Sequence, residues 1–204
     1  MRQMIVVLLL GLYAGAAHTA NFQTYINSAG NKQLNMNERW SSLVKAAEVA
    51  TAGQLGQIKE FSDHSEWFMR NAALVALKKI NQQEARQEAR KLIKDKALVV
   101  RSAAVDILAE DLVASDDRRL LMEELNQDYN FNKKSSLWIR QQILEKLSDT
   151  ATASDRQFFA KTLFDADKNL AELSARTLAK IDGQGSETKS LQQWQKLVKE
   201  RNWL

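Results

Sequence analysis

This 204-residue chain predicts an all-α fold, an α-α superhelix of about four helix pairs. Three observations predict it. The chain has no proline, where average usage would give about ten, and only 7 glycines. Its apolar residues recur with the 3.6-residue helical period, not with strand alternation. A short pattern also returns along the chain: an apolar residue, Arg, two residues, a small or apolar residue, three residues, Leu. Without proline, the punctuated loops of sandwiches and barrels are disfavoured and helices can run uninterrupted.

Composition narrows the function classes. At 45% hydrophobic and 26% charged, the chain is an ordinary folded one. Absence of Cys excludes disulfide scaffolds, Cys-zinc sites, thiol catalysis and a lipid-modified N-terminal cysteine. The only histidines are His18 and His64. No Gly-x-Ser-x-Gly, phosphate loop or Asp-x-Asp-x-Asp-Gly loop occurs, so no catalytic residue, cofactor or metal is expected. The net charge of +4 is slight. Arg86, Arg90, Lys91 and Lys94 interleave with Glu84 and Glu88, the pattern of a solvated helix face, so no nucleic-acid partner is expected.

Residues 1–20 read as a secretory signal peptide. Arg2 gives the positive start, Ile5 to Ala17 the apolar stretch, and cleavage could follow Ala16, Ala17 or Ala20. The apolar stretch is shorter than the roughly 20 residues a membrane span needs. The mature chain is therefore expected to be periplasmic or secreted, without stable membrane insertion, and monomeric.

The elements follow in order. Residues 21–36 are Asn-rich, lack helical period and are expected to be a flexible lead-in. Asn37 can cap a helix carrying Trp40, Leu43, Val44 and Ala47. A short helix with Leu55, Ile58 and Phe61 follows. Four related stretches then appear at 64–80, 96–112, 135–149 and 169–182. Their shared core is Met69-Arg70-Ala73-Leu77, Val100-Arg101-Ala104-Leu108 and Ile139-Arg140-Ile143-Leu147, with a degenerate fourth at Ala171-Glu172-Ala175 and Leu178. The anchors are spaced 31, 39 and 32 residues apart. Between them lie partner helices at 84–94, 117–127 and 155–164, each with a one-sided apolar stripe. Ser115 and Ser154 precede Asp-rich first turns, as helix caps do. Residues 183–204 are expected to be a C-terminal capping helix with Leu191, Trp194 and Val198 on one side.

The Val-Arg-x-x-Ala-x-x-x-Leu core on every second helix resembles the HEAT repeats, and more narrowly the short bacterial HEAT-like units of about thirty residues, over 53–182. The resemblance implies an armadillo-like helical domain, here 37–182. It also implies that the repeated Arg pairs with an Asp in a structural ladder: Asp63 with Arg70, Asp95 with Arg101, and Arg140 with no Asp at the corresponding place. The other reading of Arg70, Arg101 and Arg140 is an anion-binding row.

A protein-binding scaffold or adaptor of the bacterial cell envelope is the function expected. The repeat leaves one helix stripe polar, giving Asn71, Asp106, Glu110, Gln141 and Glu145 as candidate contacts. The longer third spacing falls in 128–134, where Tyr129 and Phe131 stand beside Lys133 and Lys134, and insertions in repeat arrays gather on the binding face. The alternatives are an enzyme-associated protein similar to the HEAT-like bilin lyases, and envelope-surface binding through a basic amphipathic C-terminal helix. The partner is a protein or peptide whose identity the sequence does not give.

Overall fold

The computed structural model describes residues 21–112, 116–183 and 189–204. The signal peptide expected at 1–20, the cap expected at Ser115 and residues 184–188 lie outside them. The protein is all-α, and among the described residues the only strands form one two-stranded hairpin. The chain divides after Ile107 into two compact units.

The first unit opens with a correction. Residues 21–30, expected as a flexible lead-in, are helical (α1), with Phe22 and Ala29 fully buried. Two inward positions seven residues apart sit two turns up one helix face, too sparse a stripe to read as a period among Asn, Gln and Ser. The next helix, α2 (Met36–Val49), starts from Asn35 and not from Asn37. Asn35 and Glu38 form a reciprocal capping box: the Glu38 amide donates to Asn35 Oδ1 at 3.0 Å and the Asn35 amide to Glu38 Oε2 at 2.9 Å. Then come α3 (Leu55–Lys59), a 3-10 turn over Glu60–Asp63, α4 (Trp67–Ile80) and α5 (Gln82–Leu92). Asn81 caps α5 by accepting from the Gln83 and Glu84 amides. The start of α6 (Leu98–Leu108) completes the unit.

Hydrogen bonds set the relation of α2 to α4. Trp40 Nε1 donates to Asn71 Oδ1 at 3.0 Å, and Lys79 Nζ to Glu48 Oε1 at 2.8 Å, each pair 31 residues apart. A constant offset along both helices means that they run parallel and in register. Arg39, 31 residues before Arg70, therefore occupies the matching turn of α2.

The second unit contains α7 (Asp117–Glu124), the hairpin strands β1 (Phe131–Asn132) and β2 (Ser135–Ser136), α8 (Trp138–Asp149), α9 (Arg156–Thr162), α10 (Lys168–Ile181) and α11 (Leu191–Glu200). A 3-10 turn over Ala153–Asp155 leads into α9, fixed by a Thr152–Asp155 capping box. Again the longer helices are parallel: Ser148 Oγ lies 2.6 Å from Thr177 Oγ1, and Lys180 Nζ donates to the Asp149 carbonyl at 3.1 Å. Trp194 and Val198 of α11 are buried, and Gln195 Nε2 donates to the Leu163 carbonyl at 2.8 Å. The apolar side chains that a membrane-surface helix would present are thus turned into the protein.

The recurring pattern is the core. Met69, Ala73 and Leu77, then Val100, Ala104 and Leu108, then Ile139, Ile143 and Leu147, then Ala171, Ala175 and Leu178 are all buried. Each large aliphatic among them contributes about 1.5–3 kcal/mol by leaving water.

The arginine of the pattern pairs forward. Arg70 grips Asp95 with two bonds, Nε to Oδ2 at 2.5 Å and Nη2 to Oδ1 at 2.7 Å, and its Nη1 donates to the His64 and Ser65 carbonyls. This corrects the expected Asp63–Arg70 pair: Asp63 ends the 3-10 turn, and the place six residues before Arg70 belongs to His64. Asp95 meets Arg101 through its backbone carbonyl, at 2.7 Å, because its carboxylate is held by Arg70. Arg140, for which no upstream Asp exists, is satisfied by Asp165 at 2.5 Å, 25 residues ahead as Asp95 is from Arg70.

Arg140 is 1% exposed, so removing it strands Asp165 and three other acceptors. Arg140→Ala is expected to cost about 3–5 kcal/mol, measured by urea unfolding. Arg140→Lys should recover only part, since an ammonium cannot reproduce the fork.

Candidate functional site

The 128–136 segment is the most elaborately built surface feature among the described residues. A 3-10 turn over Asp128–Asn130 follows α7, and the chain then reverses in a hairpin pairing Phe131 with Ser136 and Asn132 with Ser135. Lys133 and Lys134 form the two-residue turn, and Lys133 takes a left-handed φ of 58°. Two anchors hold the hairpin base. Asn130 is 1% exposed; its Nδ2 donates to the Glu124 carbonyl at 2.7 Å, and its carbonyl accepts from the Leu137 amide at 3.0 Å. Tyr129 donates its hydroxyl to the buried Glu124 carboxylate.

Arg140 is the second anchor and lies beneath the hairpin. Its guanidinium carbon sits 4.3 Å from the centroid of the Phe131 ring. Nε donates to the Leu125 carbonyl at 3.0 Å, Nη2 to Asn126 Oδ1 at 2.6 Å, and Nη1 to the Ser136 hydroxyl. One buried cation thus ties the end of α7, both strands, α8 and the loop before α10 together. Outside this anchor the segment shows Tyr129, 37% exposed, with both lysines in water, and Trp138, which opens α8 just after it, is 53% exposed.

The sequence candidates divide accordingly. Phe131 is half-buried on Arg140, so it supports the hairpin, while Tyr129 keeps an exposed ring edge. Gln141 and Glu145 are exposed on α8 and bonded to each other, Gln141 Nε2 to Glu145 Oε1 at 2.8 Å. Asp106 is exposed on α6 and Glu110 is exposed in the 3-10 turn over Ala109–Asp111. Asn71 is the exception: its carboxamide joins α2 to α4 through Trp40 and is a fastener within the fold. Trp138 was missed, although its place two residues before Arg140, matching Phe68 before Arg70, could have flagged it.

The first unit carries a polar cleft of about 400 Å³ between the loop before α4 and the loop before α6. It is lined by His64, Asp63, Arg70, Asp95, Lys94 and Lys96, among others. His64 stacks on Phe61 at 6.0 Å, and its Nδ1 accepts the Glu66 amide at 3.1 Å, which requires the unprotonated nitrogen. Burial holds the His64 pKa below its ordinary value, aided by Arg39, Lys32 and Arg70, while Glu66 opposes the shift. Deeper in, Glu88 is 1% exposed. Burial alone would raise its pKa, but hydrogen bonds from Lys91, Ser62 and Lys59 outweigh that and hold it below the usual carboxylate range. Among the described residues, no group of three or more His, Asp or Glu could hold a metal ion, and no helix is long and apolar enough to cross a membrane.

No protein-family model matches the chain, and no curated relative is found for it.

Because His64 binds its proton less tightly when folded, the unfolded chain holds more protons between the two pKa values. Stability from this group is complete above the unfolded value, about pH 6.5, and is lost as pH falls through the folded one. Thermal unfolding near pH 7.5 and near pH 5 should show a larger fall for the wild type than for His64→Asn, which caps without titrating. Equal falls would remove His64 from the account.

Proposed function

We propose that the chain is a non-enzymatic protein-binding scaffold of the bacterial cell envelope, built as a short HEAT-like superhelix and exported by residues 1–20. Supporting the superhelix are the parallel helix pairs in each unit, α2 with α4 and α8 with α10, joined through shorter helices. Parallel neighbours reached through an intervening helix are the geometry of stacked helix-pair repeats. On this reading α11 closes the end of the array, its Trp194 and Val198 turned inward.

The observation that carries the binding role is the hairpin. Its base is held by a buried, fully engaged arginine and a buried asparagine, while Tyr129, Trp138, Lys133 and Lys134 stand outward. A rigid support beneath exposed aromatic and cationic side chains keeps the ordering cost of binding low. Aromatic anchors are the side chains that dominate protein interfaces. Exposed Gln141 and Glu145 on α8 extend the contact surface within the same unit.

The test is affinity capture from a periplasmic extract with the wild type and with Lys133→Glu, Lys134→Glu and Trp138→Ala combined. All three side chains are exposed, so the variant should melt as the wild type does. It should lose the protein that the wild type retains; full retention by the variant would rule out the hairpin as the binding element. Mass spectrometry of the periplasmic chain should place its first residue just after Ala16, Ala17 or Ala20.

A further inference from the structure

We propose that His64 is the trigger of an acid-released clasp. Protonating its imidazole draws the Glu66 carboxylate away from Arg39, and α1, which Arg39 holds, comes loose from α2 while the rest of the first unit stays folded. The proposal needs only the first unit and rests neither on the hairpin nor on the scaffold reading.

The clasp is the least secured of the arginine contacts that join one helix pair to the next. Arg70 and Arg140 each place two hydrogen bonds on one aspartate. Arg39 is 3% exposed, yet its one carboxylate partner among the described residues is Glu66, 2.6 Å from Nη1. Neither that Glu66 oxygen nor Arg39 Nη2 has a hydrogen-bond partner among the described residues. Arg39 Nε donates to the Ala29 carbonyl at 3.0 Å, which ties α2 to α1. The Phe68 ring covers the guanidinium at 5.2 Å. A buried cation that loses its carboxylate is strongly destabilised. Once Glu66 leaves, Arg39 turns to water and its bond to Ala29 goes with it. Phe22 and Ala29, both fully buried, then become accessible.

The trigger shares an atom with the clasp. His64 Nδ1 accepts the Glu66 amide at 3.1 Å and lies 3.7 Å from Glu66 Oε2, the oxygen that meets Arg39. A proton on Nδ1 turns that acceptor into a donor. One N–H then faces another, and the acceptor within reach is Glu66 Oε2. A single oxygen has to serve two cations.

The surroundings decide which way the competition runs. Burial opposes a charge on His64 most, and Arg39 on α2, Lys32 in the loop between α1 and α2, and Arg70 on α4 oppose it too, while Glu66 favours it. In the adjoining cleft Asp95 is held by Arg70 and the Ala97 amide, Lys94 and Lys96 add positive charge, and Asp63 precedes His64 and is exposed. Lys32 and Arg39 belong to the part that moves, so opening separates both from His64 and hydrates the ring. The opened form therefore binds the proton more tightly. Opening gains as pH falls below about 6.5, by at most about tenfold per pH unit for one proton.

The experiment is hydrogen exchange on the full chain at pH 7.5 and pH 5, read by mass spectrometry and corrected for the intrinsic pH dependence of exchange. Protection of amides 22–30 should fall severalfold at pH 5, while that of α4 and α8 holds. In His64→Asn, whose carboxamide can accept the Glu66 amide without titrating, amides 22–30 should be equally protected at both pH values. Glu66→Gln removes the charge that Arg39 needs and should expose 22–30 already at pH 7.5, with α8 protected as in the wild type. Unchanged protection of 22–30 in the wild type, an equal loss in α4, the same acid loss in His64→Asn, or full protection of 22–30 in Glu66→Gln at pH 7.5 would each overturn the proposal.

Discussion

The fold depends on buried and half-buried arginines that reach forward to the following helix pair. Arg70 takes Asp95 and Arg140 takes Asp165, both across 25 residues, with two-pronged geometry. A guanidinium can be buried only if its donors are filled, and here carbonyls complete what the carboxylate leaves. The aspartates are doubly used. Asp95 Oδ1 also accepts from the Ala97 amide, and Asp165 Oδ1 from the Asp167 amide, so each arrests the loop that launches the next long helix. Arg118 with Asp155 repeats the device at 2.7 Å. Burial would raise the Asp155 pKa, yet Arg118 and the Thr152 amide hold it low.

Variations on this theme follow the local sequence. Arg39 has no such aspartate, so it pairs with Glu66, stacks on Phe68 at 5.2 Å and donates to the Ala29 carbonyl. That last bond fastens α1 to α2. At the position of Asp95 and Asp165 before α4 stands His64, which accepts the same amide two residues on. A neutral imidazole replaces a carboxylate, which leaves Arg70 dependent on carbonyls at that end. The same substitution makes this loop the one place where mild acid removes an acceptor from the series.

Much of the architecture was legible in the sequence because the repeating core positions are strictly apolar. The three strong copies and the degenerate fourth placed twelve buried apolar residues and four long helices with their boundaries nearly right. The copy at α2 escaped because Glu38, Ser41 and Ser42 dilute its pattern, although Arg39 lies the same distance before Arg70 as Arg70 before Arg101. The pairing direction escaped for a different reason. A looked-for aspartate just upstream is a local feature, whereas the real partner sits on a loop a whole helix pair later. The hairpin was hidden because its strands are two residues long and its turn is Lys-Lys, without the Asn-Gly that announces such turns. Candidate contacts chosen by periodicity alone also mixed exposed Gln141 and Glu145 with Asn71, whose partner lies on a helix that the pattern had not joined to it.

The forward reach of the arginines has a consequence for biogenesis. A chain leaves the ribosome from its N-terminus, and its domains fold in that order. Arg70 and Arg140 therefore emerge before their aspartates, and each waits for its carboxylate until 25 further residues have been made. Until then each guanidinium has only the neutral acceptors upstream of it, carbonyls of His64 and Ser65 for Arg70 and the Leu125 carbonyl, Asn126 and Ser136 for Arg140, and the carboxylate arrives last.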